Sequence, residues 1–235
     1  MSTQMRIKLF LGNENECGYL ADKKAKNIYA DPHHPNPGDV YNQLITRGFR
    51  RSGEFVYRPG CDSCKACVPV RILAGEARLR RTDKRNLKAN SDIRVRYCKA
   101  KYSDEYFELY KRYLAARHSG DGMDNPSPDD FERFLLNPWG DTLFIEMRID
   151  DNCVAVAVTD VAGGGLSAVY TFFDPALEQR GLGRYSILQQ IQLCKDMELP
   201  YLYLGYWVDG CQKMQYKSDF KPQQQYDGDQ WITIE

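Results

Sequence analysis

FFDPALEQRGLGRYSILQQI, residues 172–191, decides how the second half of this chain folds. An aromatic, apolar run leads into Asp174-Pro175, then into two glycines at 181 and 183, then into a helix that the glycines open. Free backbone N–H groups in such a turn can hold an anion at the helix N-terminus. The same glycines can equally serve close packing of the helix. LSAVYTFFDP (166–175) before it and YLYLGYW (201–207) after it read as strands. The order over 166–207 is therefore strand, glycine turn, helix, strand.

That order and turn resemble the phosphate-binding turn of the GNAT acyltransferase fold, in which the pyrophosphate of acetyl-CoA is held. The resemblance implies an α+β chain with a GNAT-like acyltransferase fold in its C-terminal part, 102–235. The expected remainder is a smaller, basic, Cys-containing N-terminal domain, 1–101. The family has Gln or Arg three residues before the first glycine, whereas Glu178 stands there in this sequence. A carboxylate at that point repels pyrophosphate, so CoA does not follow from the fold.

With 235 residues the chain can bury a proper core. It has no apolar run long enough to span a bilayer, and its first residues, MSTQMRIKLF, lack the sections of a signal peptide. A soluble, cytoplasmic protein with reduced thiols is expected, although there are eight cysteines. The net charge of zero hides an asymmetry: residues 44–101 hold 16 Lys and Arg against 5 Asp and Glu. A block such as RLRRTDKRNLK (78–88) can be a solvated helix face, yet an excess gathered in a quarter of the chain points to a polyanion docking on one face.

Elsewhere MRIKLFL, EFVYRP, VPVRIL, DIRVRYC, DTLFIEMRI and NCVAVAVTDVA read as strands. VYNQLITRGF reads as a helix ending on Gly48, residues 78–90 as a basic helix, and SDEYFELYKRYLAARH and SPDDFERFLL as helices capped by Ser103 and Ser127. CQKMQYKSDFKP reads as a short helix and loop.

Many separated stretches, in order, resemble the arginyl- and leucyl-tRNA–protein transferases: CGYL (17–20), GFRRSGEFVYRPGCDSCKACVPVRI (48–72), Tyr110, Tyr113 and Arg117-His118, AVAVTD ending at Asp160, SAVYTFFDP, LGRYS, YLGYW and CQKMQYKSDFKP. Leu20, the CDSCKAC loop and the compact length are similar to the short bacterial subgroup, the aspartate/glutamate leucyltransferases. The resemblance implies transfer of leucine from leucyl-tRNA to the α-amine of proteins beginning with Asp or Glu, which marks them for degradation. The partners implied are aminoacyl-tRNA and those proteins, with no membrane.

Aminolysis of an aminoacyl ester is downhill, so positioning carries much of the catalysis, no cofactor is required and no covalent enzyme intermediate is expected. Asp160, at the end of an apolar run, is the candidate base over a sheet edge; a plain turn aspartate has the same signature. Tyr206 beside Gly205 is the favoured hydroxyl, with Tyr170 and Tyr203 as further contacts for the ester or the terminal adenine. Lys213 and Lys217, four apart, suit one helix face toward phosphates or the acceptor's acidic side chain. An N-terminal Asp or Glu needs a cation, and Arg50, Arg51, Arg71 and Arg117 are unranked candidates, with His118 beside the last. Arg78, Arg80, Arg81, Lys84, Arg85 and Lys88 are assigned to the tRNA backbone.

RPGCDSCKACVPVR (58–71) holds three cysteines at two-residue gaps. With Cys17 as a fourth thiolate, Cys61, Cys64 and Cys67 would suit zinc or an iron–sulfur cluster, structural or redox-regulatory in role. The alternative is reduced thiols packing a tight loop. Cys211 is read as packing at the substrate site. Rival functions are arginine transfer by the same chemistry, a non-catalytic metal-containing tRNA-binding module, and a CoA-dependent N-acetyltransferase.

Overall fold

The structure, a computed structural model, describes residues 5–117 and 125–234. The N-terminal part contains β1 (Leu9–Leu11), β2 (Asn15–Glu16), β3 (Lys24–Ala25), β4 (Asn27–Ala30), α1 (Pro37–Ile45), β5 (Arg50–Ser52) and β6 (Phe55–Pro59). Then follow β7 (Val68–Leu73), α2 (Arg81–Ala89), β8 (Arg94–Lys99), α3 (Asp104–Arg117), α4 (Pro128–Leu135), β9 (Thr142–Ile149), β10 (Asn152–Ala162) and β11 (Gly165–Phe173). The chain ends with α5 (Leu182–Asp196), β12 (Tyr201–Trp207), β13 (Gln223–Tyr226) and β14 (Trp231–Ile234), and a 3₁₀ segment, Gln212–Asp219, lies between the last helix-to-strand unit and β13.

This is a mixed α/β fold built on one large sheet. Eight strands lie in the order β14-β13-β7-β12-β11-β10-β9-β8, and a smaller sheet has the order β1-β4-β6-β5. Every neighbouring pair is antiparallel except β11 and β12, which run parallel over Gly165–Ser167 and Tyr201–Tyr203 and are joined across α5. Parallel neighbours need such a crossover because a tight turn can join only antiparallel strands.

β10 shows why its sequence is a continuous apolar run. Ala155 and Ala157 face α5, packing with Leu188 and Ile191, while Val156 and Val158 face α3 and α4, packing with Tyr110, Leu114, Phe131 and Leu135. Alternate residues point to opposite faces, and both faces are covered. A third cluster packs Val40, Tyr41, Leu44 and Ile45 of α1 against Ala162 and Tyr203, joining the smaller sheet to the larger.

The expected helices and strands are largely in place. Ser127 accepts from the Asp130 N–H in a full capping box, and the Ser103 hydroxyl accepts from the Tyr106 N–H at 3.2 Å. The boundary expected at 101/102 falls after β8, yet β7 and β8 are hydrogen-bonded into the eight-stranded sheet, so both halves of the sequence build it. β13 and β14 had no expectation: QQQY lacks the apolar alternation that marks a strand, and it pairs with β7 through its backbone. No helix among the described residues is long and apolar enough to cross a membrane.

Candidate active site

Asp160 does not stand over a sheet edge. β10 runs on to Ala162 between β9 and β11, and the Asp160 carboxylate is fully buried beneath α1. Arg51 donates to it from Nε at 2.7 Å and from Nη2 at 3.0 Å, Tyr41 Oη at 3.0 Å and Thr142 Oγ1 at 2.5 Å. Both oxygens are occupied, which corrects the expectation of a free base: this carboxylate joins the smaller sheet, α1 and the large sheet. Arg51 is withdrawn by the same contacts from reading an acceptor; its Nη1 also donates to the Gly53 carbonyl.

The other sequence candidates separate by what they already touch. Arg71 donates to Gln224 Oε1 at 2.7 Å and lies 3.6 Å and 4.2 Å from the ring centres of Tyr201 and Trp231, which leaves it sandwiched. Arg117 forms an ion pair with Glu178 at 2.6 Å, so the glutamate before the glycine turn is matched. His118 lies outside the described residues. Tyr203 Oη donates to the Gly163 carbonyl, and Tyr206 Oη lies 2.9 Å from the Gly48 carbonyl and 3.1 Å from that of Tyr57; both hydroxyls serve the backbone. Tyr170 Oη is buried without a hydrogen-bond partner, with its ring against Tyr110, Tyr113 and Phe134.

Lys213 and Lys217 do not share a face. Their segment is a 3₁₀ helix of three residues per turn, so positions four apart diverge, leaving Lys213 exposed and Lys217 buried. Lys217 Nζ donates to the Tyr206 carbonyl at 2.6 Å and has no carboxylate partner among the described residues. Burial first, and then the charge of Arg50, bring its ammonium down to about 7. Arg50 sits over the Tyr206 ring at 5.8 Å.

Beside these two basic groups opens a cleft of 790 Å³, lined by the CGYL turn, the cysteine loop, Tyr57, Arg58, Tyr206 and Tyr226. Cys17, Cys61, Cys64 and Cys67 all line it, and the Coulombic reach of the other three extends to Cys67. Among the described residues, however, no group of three or more His, Cys, Asp or Glu side chains is arranged to hold a metal ion. Cys61 Sγ turns to the Lys26 carbonyl at 3.7 Å, while Cys67 packs with Cys211, Val208 and Met214. Burial first, and then the neighbouring thiols, push Cys67 up to about 11.

The basic helix α2 is held against the glycine turn. Asn86 Nδ2 donates to the carbonyls of Arg180 and Gly181, and Arg184 bridges Asp83 at 2.6 Å and Asp219 at 2.9 Å. Gly181, where a Cβ would stand 2.9 Å from Asn86 Nδ2, thus serves packing of α2 on α5. Arg78, Arg80, Arg81, Lys84, Arg85 and Lys88 are all exposed, and only Arg80, paired with Asp219, has an ion-pair partner among the described residues. Since Asp219 ends the segment carrying Lys217, the basic face and the cleft-side lysine are mechanically connected.

Sequence reasoning missed Arg58, Tyr19 and Tyr57, which line the cleft; Arg58 Nε is buried without a partner. The signal lay in FVYRP, whose polar residues sit within a strand, but nothing local says which face is open.

Two family models match the chain: "Arginine-tRNA-protein transferase, N terminus" over residues 15–85 and "Arginine-tRNA-protein transferase, C terminus" over 105–227. The aspartate/glutamate leucyltransferase of Hahella chejuensis (strain KCTC 2396) is 45% identical over 234 residues, 100% of both chains. That of Stenotrophomonas maltophilia (strain R551-3) is 46% identical, covering 96% of this chain and 92% of the relative. That of Pseudomonas fluorescens (strain SBW25) is 43% identical over the full length of both. Among solved structures, the C-terminal domain (DUF2156) of a putative lysylphosphatidylglycerol synthetase from Agrobacterium fabrum has a TM-score of 0.46 at 12% identity, covering 66% of this chain and 50% of that chain.

Proposed function

This chain belongs to the arginine-tRNA-protein transferase family, and we propose that it moves leucine from leucyl-tRNA onto the α-amine of proteins beginning with Asp or Glu. The observation that carries the reading is 45% identity along the whole length to a relative of that name. The product is a leucine-tagged protein directed to degradation, made in the cytoplasm, where charged tRNA is found. The strand, glycine turn, helix, strand unit of β11, α5 and β12 supports a GNAT-like acyltransferase fold for the C-terminal part. Exposed cations on α2 support a docking face for the tRNA backbone.

In the reaction the acceptor nitrogen attacks the ester carbonyl. A C–N bond forms, the C–O bond to the tRNA ribose breaks, and the nitrogen's proton ends on the ribose oxygen. An α-amine with a pKa near 8 is roughly a tenth neutral at pH 7, so the chain's main task is to hold amine and ester together.

The test offers leucyl-tRNA and arginyl-tRNA separately, with peptides beginning Asp, Glu or Lys, and reads products by mass spectrometry. Leucine on the Asp and Glu peptides alone is expected. Arginine on those peptides would move the chain to the arginine-using branch, and tRNA binding without transfer from either would leave a binding module.

A further inference from the structure

We propose that Arg50 is the residue that reads the side-chain carboxylate of the acceptor's first residue. The inference rests on the leucyltransferase reading and deepens it. Of the four arginines singled out in the sequence, three are already engaged: Arg51 with Asp160, Arg71 with Gln224 between two aromatic rings, and Arg117 with Glu178. Arg50 is half-buried, and among the described residues its guanidinium has neither a carboxylate nor a hydrogen-bond partner; its one contact of note is the Tyr206 ring.

The place is shaped for an anion to arrive. Arg50 pairs across β5 and β6 with Tyr57, which lines the cleft, and Gly48, Pro69 and Tyr206 border both the cleft and the small recess that Arg50 lines. Lys217, 6% exposed, is a second basic group within reach of the Arg50 charge, again without an acid. Room for the guanidinium comes from Gly205: at φ 75°, a Cβ there would stand 2.7 Å from Arg50 Nη1. A half-buried guanidinium and a buried ammonium with no counter-charge between them repel each other until an anion binds.

A recessed guanidinium also supplies the selectivity. A carboxylate makes two charge-assisted bonds with it, whereas the neutral isostere Asn leaves the cation unmatched. The tRNA phosphates are a worse fit, because α2 already offers exposed cations on the outer face and Arg50 is sunk among tyrosine rings. Arg58 also lines the cleft, lying over the Phe49 ring at 5.3 Å, and is the rival reader that its own variant tests below.

Leucine transfer from leucyl-tRNA is measured with peptides that differ only in a first residue of Asp, Glu or Asn. Arg50→Gln is expected to raise KM for the Asp peptide about 100-fold and to bring the Asp-to-Asn ratio close to one, with KM for leucyl-tRNA unchanged. Arg50→Lys should recover part of the ratio, and Gly205→Ala, which displaces the guanidinium, should lower it. Thermal unfolding of each variant separates misfolding from lost recognition, and calorimetry of peptide binding to the folded variants repeats the comparison without turnover. An Asp-to-Asn ratio kept in Arg50→Gln overturns the assignment. So does a rise confined to KM for leucyl-tRNA, which would make Arg50 a phosphate contact, or loss of the ratio in Arg58→Gln alone. Wild-type protein that transfers no leucine fails the function itself, an outcome separate from these.

Discussion

The Asp160 carboxylate accepts four hydrogen bonds from three side chains, two of them from Arg51. Breaking a buried pair strands the remaining charge, so Asp160→Asn is expected to cost about 3–5 kcal/mol in urea unfolding, while the folded fraction keeps its KM for both substrates. Lys217 behaves in the opposite sense. Its folded-state pKa of about 7 lies below the ordinary lysine value, so between the two the unfolded chain binds the extra proton. The cost of burying it is therefore full below about pH 7 and shrinks as pH rises toward the unfolded value. Denaturation midpoints from pH 6.5 to 9.5 should rise for wild type relative to Lys217→Met, whose curve should be the flatter. A parallel pair of curves would count against the depressed lysine.

At the scale of elements, α2 and the glycine turn act as one unit. Its outward Lys84, Arg85 and Lys88 have no ion-pair partner among the described residues, so the triple variant Lys84→Gln, Arg85→Gln, Lys88→Gln should unfold like wild type yet bind leucyl-tRNA more weakly, with the slope of log affinity against log salt reduced by about 2–3. An unchanged slope would place the tRNA on another face. The inner side of the unit is tight. Gly181 has φ 63°, and a Cβ there would meet Asn86 Nδ2 at 2.9 Å, so Gly181→Ala should lose about 1–2 kcal/mol of stability in the same urea assay.

For the whole molecule, the decisive contact is β7 lying between β13 and β12. A chain of residues 102–235 alone would leave β12 with an open edge and detach β13 and β14 from the sheet. Such an edge pairs with other copies, so that fragment is expected to aggregate, as read by light scattering, until residues 1–101 are supplied. A soluble, cooperatively unfolding fragment would contradict this.

Much of this architecture was readable beforehand because secondary structure answers to near neighbours. The alternating faces of β10, the capping serines of α3 and α4 and the glycine-opened α5 each follow from residues two to four apart, and the family motifs name the reaction by their order along the chain. Partner choice answers to distance in space instead. Asp160 looked like a free carboxylate because its partner, Arg51, lies 109 residues away, and Arg117 looked free because Glu178 lies 61 away. Spacing likewise gives the four cysteines no direction: in the fold Cys61 turns to the Lys26 carbonyl while Cys67 packs with Cys211, Val208 and Met214. Sequence alone determined most of the elements, the basic face and the chemistry of the family. Only the tertiary structure decided which charges are spent and that Arg50 is left without one, since neutralisation depends on through-space contact that no local pattern records.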